Sequence, residues 1–433
     1  MGDLSKYNTQ VSKTVQAVYD YHKKRGDSEK PRRYLGASEI GHECDRALWY
    51  SFRKCFKSEF DGRMYRLFKT GHLEEFRFIE ELEGIGCTVK ALDDKGEQFG
   101  VSAVGGHFKG HMDGVAIGIP EAPKTWHLLE FKTFKDDLFV KLVASGVEKS
   151  NPKHFAQMIV YMGLGGLDRA LYLAKNKNTD ELYSERIEHD SSKFKAIMLR
   201  AERIIKSNQP PERLCSRRDD YRCKMCNAES ICWGAINDIA VDLPTKDCRT
   251  CCHATPEMEG DGRWSCASQD GTMEPCPAHL LIPGLILFAD VNDAGDDWIE
   301  FKNHKDGAIW RHGDGENGTW STEELIKTPV PFIGAKGVES AKTVFGGTIL
   351  EVIPPLIDRY PPEDSRLLWE GSDSMKTLDP ALQRIVTGNE NGCLPAPTDK
   401  GEDERAVCTE YLGKILAVIY TGTGYAAIWG GVE

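Results

Sequence analysis

Residues 105–119 read GGHFKGHMDGVAIGI, residues 125–134 read TWHLLEFKTF, and residues 151–162 read NPKHFAQMIVYM. The middle segment has the two-residue alternation of a strand. Leu128, Glu130 and Lys132 share one face, and Leu129 and Phe131 share the other. The strand is apolar ahead of Glu130, so burying a carboxylate and an ammonium there is costly without a purpose. The GGHFKGHMDG stretch predicts a hairpin with Asp113 at a strand end. The last segment predicts a helix over residues 152–163, with Pro152 in its first turn. Gln157 and Tyr161 stand four apart and share one helical face.

This combination points to a metal-dependent hydrolytic site. Asp113 and Glu130 on successive strands can meet at one sheet edge, and hard cations such as Mg²⁺ or Mn²⁺ take carboxylates and water. Such an ion activates water near neutral pH and neutralises a departing oxygen, as phosphodiester hydrolysis requires. Lys132 would orient the water or stabilise developing charge. The backbone carbonyl of Phe131 offers a further ligand. An E-x-K triplet is common by itself, and its neighbours are what single it out.

Working outward, residues 63–82 predict a helix containing GHLEE, with His72, Glu74 and Glu75 as candidate ligands. NTQVSKTVQAVYDYHKK predicts an amphipathic helix over residues 8–24 with Val11, Val15, Val18 and Tyr21 on one side. A basic loop, RGDSEKPRR, follows. Ser38 reads as the N-cap of a helix running to Phe52 that carries Cys44. Residues 86–119 read as strands joined by turns, with DDKG at 93–96 a turn signal. Downstream, LDRALYLAKN and ELYSERIEHD predict two strands. SSKFKAIMLRAERIIKS predicts a helix ended by Pro210 and Pro211.

The order of these motifs resembles the PD-(D/E)XK nuclease superfamily, and its RecB-type exonuclease branch in particular. The matching residues are Gly71–Glu75, Asp113, Glu130 to Lys132, and Gln157 with Tyr161. The resemblance covers about the first 235 residues. It implies a restriction-endonuclease-like α/β fold with a mixed sheet flanked by helices, and DNA as substrate. Asp113, Glu130, Lys132, Gln157 and Tyr161 are the expected site residues. RecB-type enzymes generally use His as the upstream ligand and relatives of phage lambda exonuclease use Glu, so His72 and Glu75 both stand.

Fourteen cysteines with no apolar leader segment suggest metal or cluster ligation rather than disulfides. Cys223, Cys226 and Cys232 form C-x2-C-x5-C, and Cys44 lies far upstream in IGHECDRALWY. One cysteine before the core and three after it resembles AddB-type and CRISPR-associated iron–sulfur nucleases. That resemblance implies a [4Fe–4S] cluster on Cys44, Cys223, Cys226 and Cys232, with zinc the competing occupant and Cys215 a spare thiol. Cys55 and Cys87 read as buried thiols, and Cys393 and Cys408 stand alone. A second group reads CRTCCH, RWSC and EPCPAH. Cys248, Cys251, Cys266 and Cys276 are its expected Zn²⁺ ligands, with His279 as a substitute for one and Cys252 and His253 nearby.

Composition sets the frame. The chain has 433 residues, enough for two or three domains. Its net charge of −12 is carried by residues 281–433, where 13 basic face 25 acidic side chains. Residues 1–80 carry 16 basic against 12 acidic, so the overall charge does not exclude a nucleic-acid partner. No apolar run is long enough to span a membrane. The expected domains are a nuclease domain over 1–240, a cysteine/histidine zinc module over 241–283, and an acidic β-rich domain over 284–433. The expected setting is cytoplasmic, or the host cytoplasm for a phage-encoded chain. DNA is the expected partner, with a recombination or replication protein beside it. Two rival expectations are a non-catalytic DNA-end or single-strand binding protein on the same fold, and a recruitment adaptor.

Overall fold

The structure, a computed structural model, describes residues 12–29, 32–234, 242–268, 274–328, 330, 333–334, 339 and 342–343. For residues 348–352, 404–411, 414–421 and 424–431 it describes the backbone alone. Two compact units divide the chain. The first comprises Met1–Phe52, Lys57–Ser207 and Pro256–Arg263, and the second Arg53–Phe56, Asn208–Thr255 and Trp264–Glu433. It is mixed α/β, and among the described residues no helix is long and apolar enough to cross a membrane.

In the first unit the elements run α1 (Lys13–Asp27), β1 (Leu35–Gly36), α2 (Asp45–Phe52), α3 (Gly62–Gly84), β2 (Thr88–Lys90), β3 (Gly100–Ala103) and β4 (Phe108–His111). They continue with β5 (Gly114–Ile117), β6 (His127–Phe134), α4 (Asp136–Ser150), α5 (Pro152–Gly165), β7 (Arg169–Asn176), β8 (Leu182–Glu188) and α6 (Ser191–Lys206). Five strands form a mixed sheet in the order β2-β5-β6-β7-β8. Strands β6 and β7 pair in parallel from Leu128↔Ala170 to Phe134↔Asn176, and the other neighbours are antiparallel. A parallel pair needs a long crossover, and α4 with α5 supplies it. A smaller sheet, β1-β4-β3, stands apart.

The alternation of β6 sets the core. Leu129 and Phe131 join Phe78, Leu82, Ala116, Ile119 and Leu171 in one apolar cluster. Phe78 of α3 stacks on Phe131 with centroids 5.1 Å apart. The side chain of Asp61 caps α3 by accepting from the Met64 amide at 2.7 Å. On the other side of α5, Gly163 leaves room for Phe194 of α6, whose ring a Cβ would meet at 2.4 Å.

The structure refines three expectations. GGHFKGHMDG does run through a hairpin, because β3 and β4 pair antiparallel across the turn at residues 104–107, but β5 belongs to the large sheet, so Met112 and Asp113 cross between sheets. The helix expected from Ser38 begins only at Asp45, where the Cys44 sulfur accepts from the Ala47 amide at 3.4 Å. Residues ahead of it turn instead, because Arg200 of α6 donates to the carbonyls of Ile40 (2.6 Å) and His42 (2.5 Å) and offers Asp45 a 2.7 Å ion pair. Helix α1 buries none of its residues, and Val15, Val18 and Tyr21 are exposed, while Val11 lies outside the described residues. It packs on α3 by backbone proximity, since a Cβ on Gly62 would meet the Tyr19 carbonyl oxygen at 1.9 Å.

The second unit holds short elements: α7 (Tyr221–Lys224), α8 (Glu229–Trp233), β9 (Ala254–Pro256), β10 (Trp264–Cys266), β11 (Ala289–Ala294), β12 (Ile299–Asn303), β13 (Ile309–His312) and α9 (Thr322–Lys327). Strands β11-β12-β13 form an antiparallel sheet whose core is Phe301 stacked on Trp310 at 4.9 Å. Then follow β14 (Thr348–Val352), β15 (Glu404–Tyr411), β16 (Lys414–Thr421) and β17 (Gly424–Gly431), an antiparallel sheet in the order β14-β17-β16-β15. Cys393 lies outside the described residues, and Cys408 falls on β15.

Candidate active site

Asp113 sits one residue ahead of β5, and Gly114 pairs with Leu129 of β6. That register sets its side chain beside the start of the E-F-K triplet. Asp113 Oδ2 accepts a hydrogen bond from the Phe131 amide at 2.9 Å. Glu130 is fully buried. Its Oε2 accepts from Gln157 Nε2 of α5 at 2.9 Å, and the Lys132 ammonium lies against Oε1. Lys132 Nζ also donates to the Phe131 carbonyl at 3.0 Å.

Gln157 and Tyr161 are both buried on the sheet side of α5. They are therefore not a solvated helix pair. The Tyr161 hydroxyl bonds with Gln157, and its ring lies over Gly110 of β4. A Cβ on Gly110 would come within 2.4 Å of that ring, so glycine is what lets Tyr161 lie there.

The upstream residues separate cleanly. Glu74, part-buried, is taken up by Lys175 of β7 (3.0 Å) and Arg77 (3.4 Å). Glu75 is half-buried and held 3.5 Å from His72 Nδ1, while His72 is largely exposed. Burial and then the Asp113 carboxylate raise the Glu75 carboxyl, with His72 and Lys132 opposing. Glu75 is thus the residue of the three that faces Asp113 and Lys132.

Electrostatics mark the place as strained by charge. Burial pushes the Glu130 carboxyl up to about 7; Lys132 opposes this, and Asp113 and Glu75 add to it. Burial works to lower Lys132, yet Glu130, Asp113 and Glu75 together hold its ammonium above the usual lysine range. Carboxylates crowded at a buried edge, with one lysine between them, fit a divalent cation. Glu130 Oε1 is held by the Lys132 ammonium, so both oxygens of the carboxylate have a partner. Among the described residues, no three His, Cys, Asp or Glu side chains are yet gathered at metal-holding distances.

Sequence reasoning missed His154. It precedes Gln157 by three and Tyr161 by seven, so helical spacing on that face was the available signal. Its Nδ1 lies 2.8 Å from the Tyr172 hydroxyl, and its ring packs on Phe134 and Tyr172. Burial first, then Lys132 and Lys153, depress it to about 3, so it is neutral at ordinary pH. Arg32, in the basic loop, is the other omission: its charge bears on Tyr161.

The sulfur set implied by the resemblance spans both units, with Cys44 in the first and Cys223, Cys226 and Cys232 in the second. Within the second unit the Cys223 thiol hydrogen-bonds with Cys215, and Cys232 lies near. Cys215 thus stands beside Cys223, the position from which it would displace one of the four. Cys55 and Cys87 are buried, as expected.

No family model and no curated protein matches the chain. Among solved structures, SSO0001 is 14% identical with a TM-score of 0.31, over 51% of this chain and 96% of that one. An alkaline exonuclease from Laribacter hongkongensis, LHK-Exo, is 14% identical with a TM-score of 0.30, over 44% of this chain and 90% of that one. The same figures hold for LHK-Exo in complex with dAMP.

Proposed function

We propose that the first unit is a divalent-metal-dependent deoxyribonuclease, working as an exonuclease on DNA in recombination or repair. The observation that carries this reading is the meeting of Asp113, Glu130 and Lys132 along β6, the middle strand of the sheet, with Glu75 from α3 and Gln157 from α5 beside them. Glu75, Asp113, Glu130 and the Phe131 carbonyl would hold Mg²⁺ or Mn²⁺. A bound ion supplies a water ionised near neutral pH and charge stabilisation on the leaving oxygen.

The chain's own residues do the rest. Gln157 holds one oxygen of Glu130 and Lys132 the other, which fixes the orientation of the carboxylate in the site. The Phe131 amide fixes one oxygen of Asp113 in the same way. Lys132 keeps a positive charge between the carboxylates, where it orients the attacking water or faces the phosphate's developing charge. Arg32 adds a cation on the Tyr161 side for the DNA backbone.

The test is a nuclease assay with Mn²⁺ and Mg²⁺ on linear and circular DNA, with Lys132→Ala as the comparison. Degradation of linear DNA only, abolished in the variant, is expected. Equal behaviour of the two proteins would sink the enzymatic reading and favour a DNA-binding role.

A further inference from the structure

We propose that Cys248, Cys251, Cys266 and Cys276 of the second unit bind one zinc ion as a tetrathiolate site. This does not rest on the nuclease reading. Two, fourteen and nine residues separate these cysteines, and local structure brings them together. Residues 248–250 form a 3-10 turn capped by the Asp247 side chain, which accepts from the Arg249 amide at 2.9 Å. The Cys251 amide donates to the Cys248 carbonyl at 3.1 Å, which closes the knuckle. Strand β10 ends on Cys266, and the Ala267 amide donates to the His253 carbonyl at 2.9 Å. The His279 amide donates to the Cys276 carbonyl at 3.2 Å. All four cysteines line one cavity of about 10 Å³, roughly the space of one small bound species.

The sulfur environment points the same way. Cys251 Sγ accepts the Leu280 amide at 3.4 Å and also bonds the His253 amide. The four thiols line one small cavity, Cys251 buried and the other three part-buried, and a Zn²⁺ ion among them would be held by sulfur alone. The sulfurs are not yet gathered at metal-holding distances, so binding draws them inward by side-chain rotation and releases four protons.

The other candidates are already engaged. His279 Nδ1 lies 2.8 Å from Thr322 Oγ1 and its Nε2 2.9 Å from the Asp247 carbonyl. His279 is thus engaged at both ring nitrogens, and the proposal takes the four cysteines as ligands. The Cys252 thiol donates to the Leu280 carbonyl at 3.2 Å. The site's frame is braced independently. Buried Arg53 donates to the carbonyls of Arg249 (3.2 Å) and Ala254 (3.3 Å), and lies 4.9 Å over Trp264. The ion's role is to hold this loop-rich segment together.

The experiment uses the full chain grown with zinc. Zinc per chain is measured for the wild type, Cys266→Ser, Cys276→Ser and Cys252→Ser. Loss of one equivalent in the first two variants and none in the third is expected. Equal zinc in all four proteins, or equal loss from Cys252→Ser, overturns the proposal. A readout without variants guards against misfolding: cysteine alkylation of the wild type, mapped before and after chelation. Chelation should expose Cys248, Cys251, Cys266 and Cys276 together. Unchanged labelling of those four overturns the site.

Discussion

Asp113 and Phe131 are joined by a 2.9 Å hydrogen bond from the backbone amide of one to the carboxylate of the other. The bond ties the crossing between two sheets to the middle of β6. It makes one carboxylate oxygen structural and leaves the other for chemistry. Asp113→Asn keeps the shape but replaces a charge by an amide. Its activity should fall by about 10²-fold or more, with a melting temperature near that of the wild type. Retained activity in a steady-state assay would remove Asp113 from the metal site.

Glu74 and Glu75 are neighbours with different surroundings, and substitution should separate them. Glu75→Gln should lower activity by about 10²-fold or more and leave stability unchanged or improved, because it relieves repulsion with Asp113. Glu74→Gln removes a partner of Lys175 and Arg77. It should cost about 0.2–1 kcal/mol of stability with little effect on rate. His72→Ala should do little to either. The reverse pattern would make Glu74 the ligand.

Gly110 and Tyr161 form a packing pair across two elements. Gly110→Ala puts a methyl into the tyrosine ring and should cost about 1–3 kcal/mol. The double variant with Tyr161→Ala should be more stable than the sum of the two single losses implies. Additive losses in denaturant melts would show that the ring does not lie on Gly110.

Buried neutral histidines should make the chain acid-labile. His154 is depressed to about 3 and His312 to about 4, each chiefly by burial. Below the ordinary histidine value the unfolded chain takes up protons that the folded chain refuses. Stability contributed by each therefore falls as pH drops from about 6.5 toward its folded value, by up to about 1.4 kcal/mol per pH unit. Glu130 acts oppositely, since its raised carboxyl favours the folded state in acid and loses that advantage as pH rises toward about 7. In metal-free protein, His154→Gln should flatten the acid side of a stability–pH curve. An unchanged slope would place the ring in contact with solvent.

Arg200 should matter beyond its exposure. Arg200→Ala removes donors to the Ile40 and His42 carbonyls and the partner of Asp45. A loss of about 2–3 kcal/mol is expected from charge-assisted bonds of this kind. Loss confined to residues 37–44 should appear as faster amide exchange there, and unchanged exchange would refute the bracing role.

Strand alternation and helical spacing made much of this site legible. Period two in TWHLLEFKTF put Glu130 and Lys132 together, and period 3.6 paired Gln157 with Tyr161. Helix α4 was passed over, because DDLFVKLVASGVEKS is interrupted by Gly146, which adopts a φ of +72° inside it. The missed turn before Asp45 depends on Arg200, about 155 residues away in sequence, and local propensity carries no trace of such a partner. The choice among His72, Glu74 and Glu75 also depended on distant groups: Lys175 draws Glu74 away, and no pattern within GHLEE encodes that.

The long parallel ladder between β6 and β7 has a consequence for how this chain can vary. Seven consecutive pairs, Leu128↔Ala170 through Phe134↔Asn176, fix which residues of β6 look each way. Adding or deleting a single residue inside the strand would act like a reading-frame error. It would send Glu130 and Lys132 into the phenylalanine cluster and bring Leu129 and Phe131 to the catalytic side. Length changes are therefore tolerable in the turns on either side of the strand and forbidden within it.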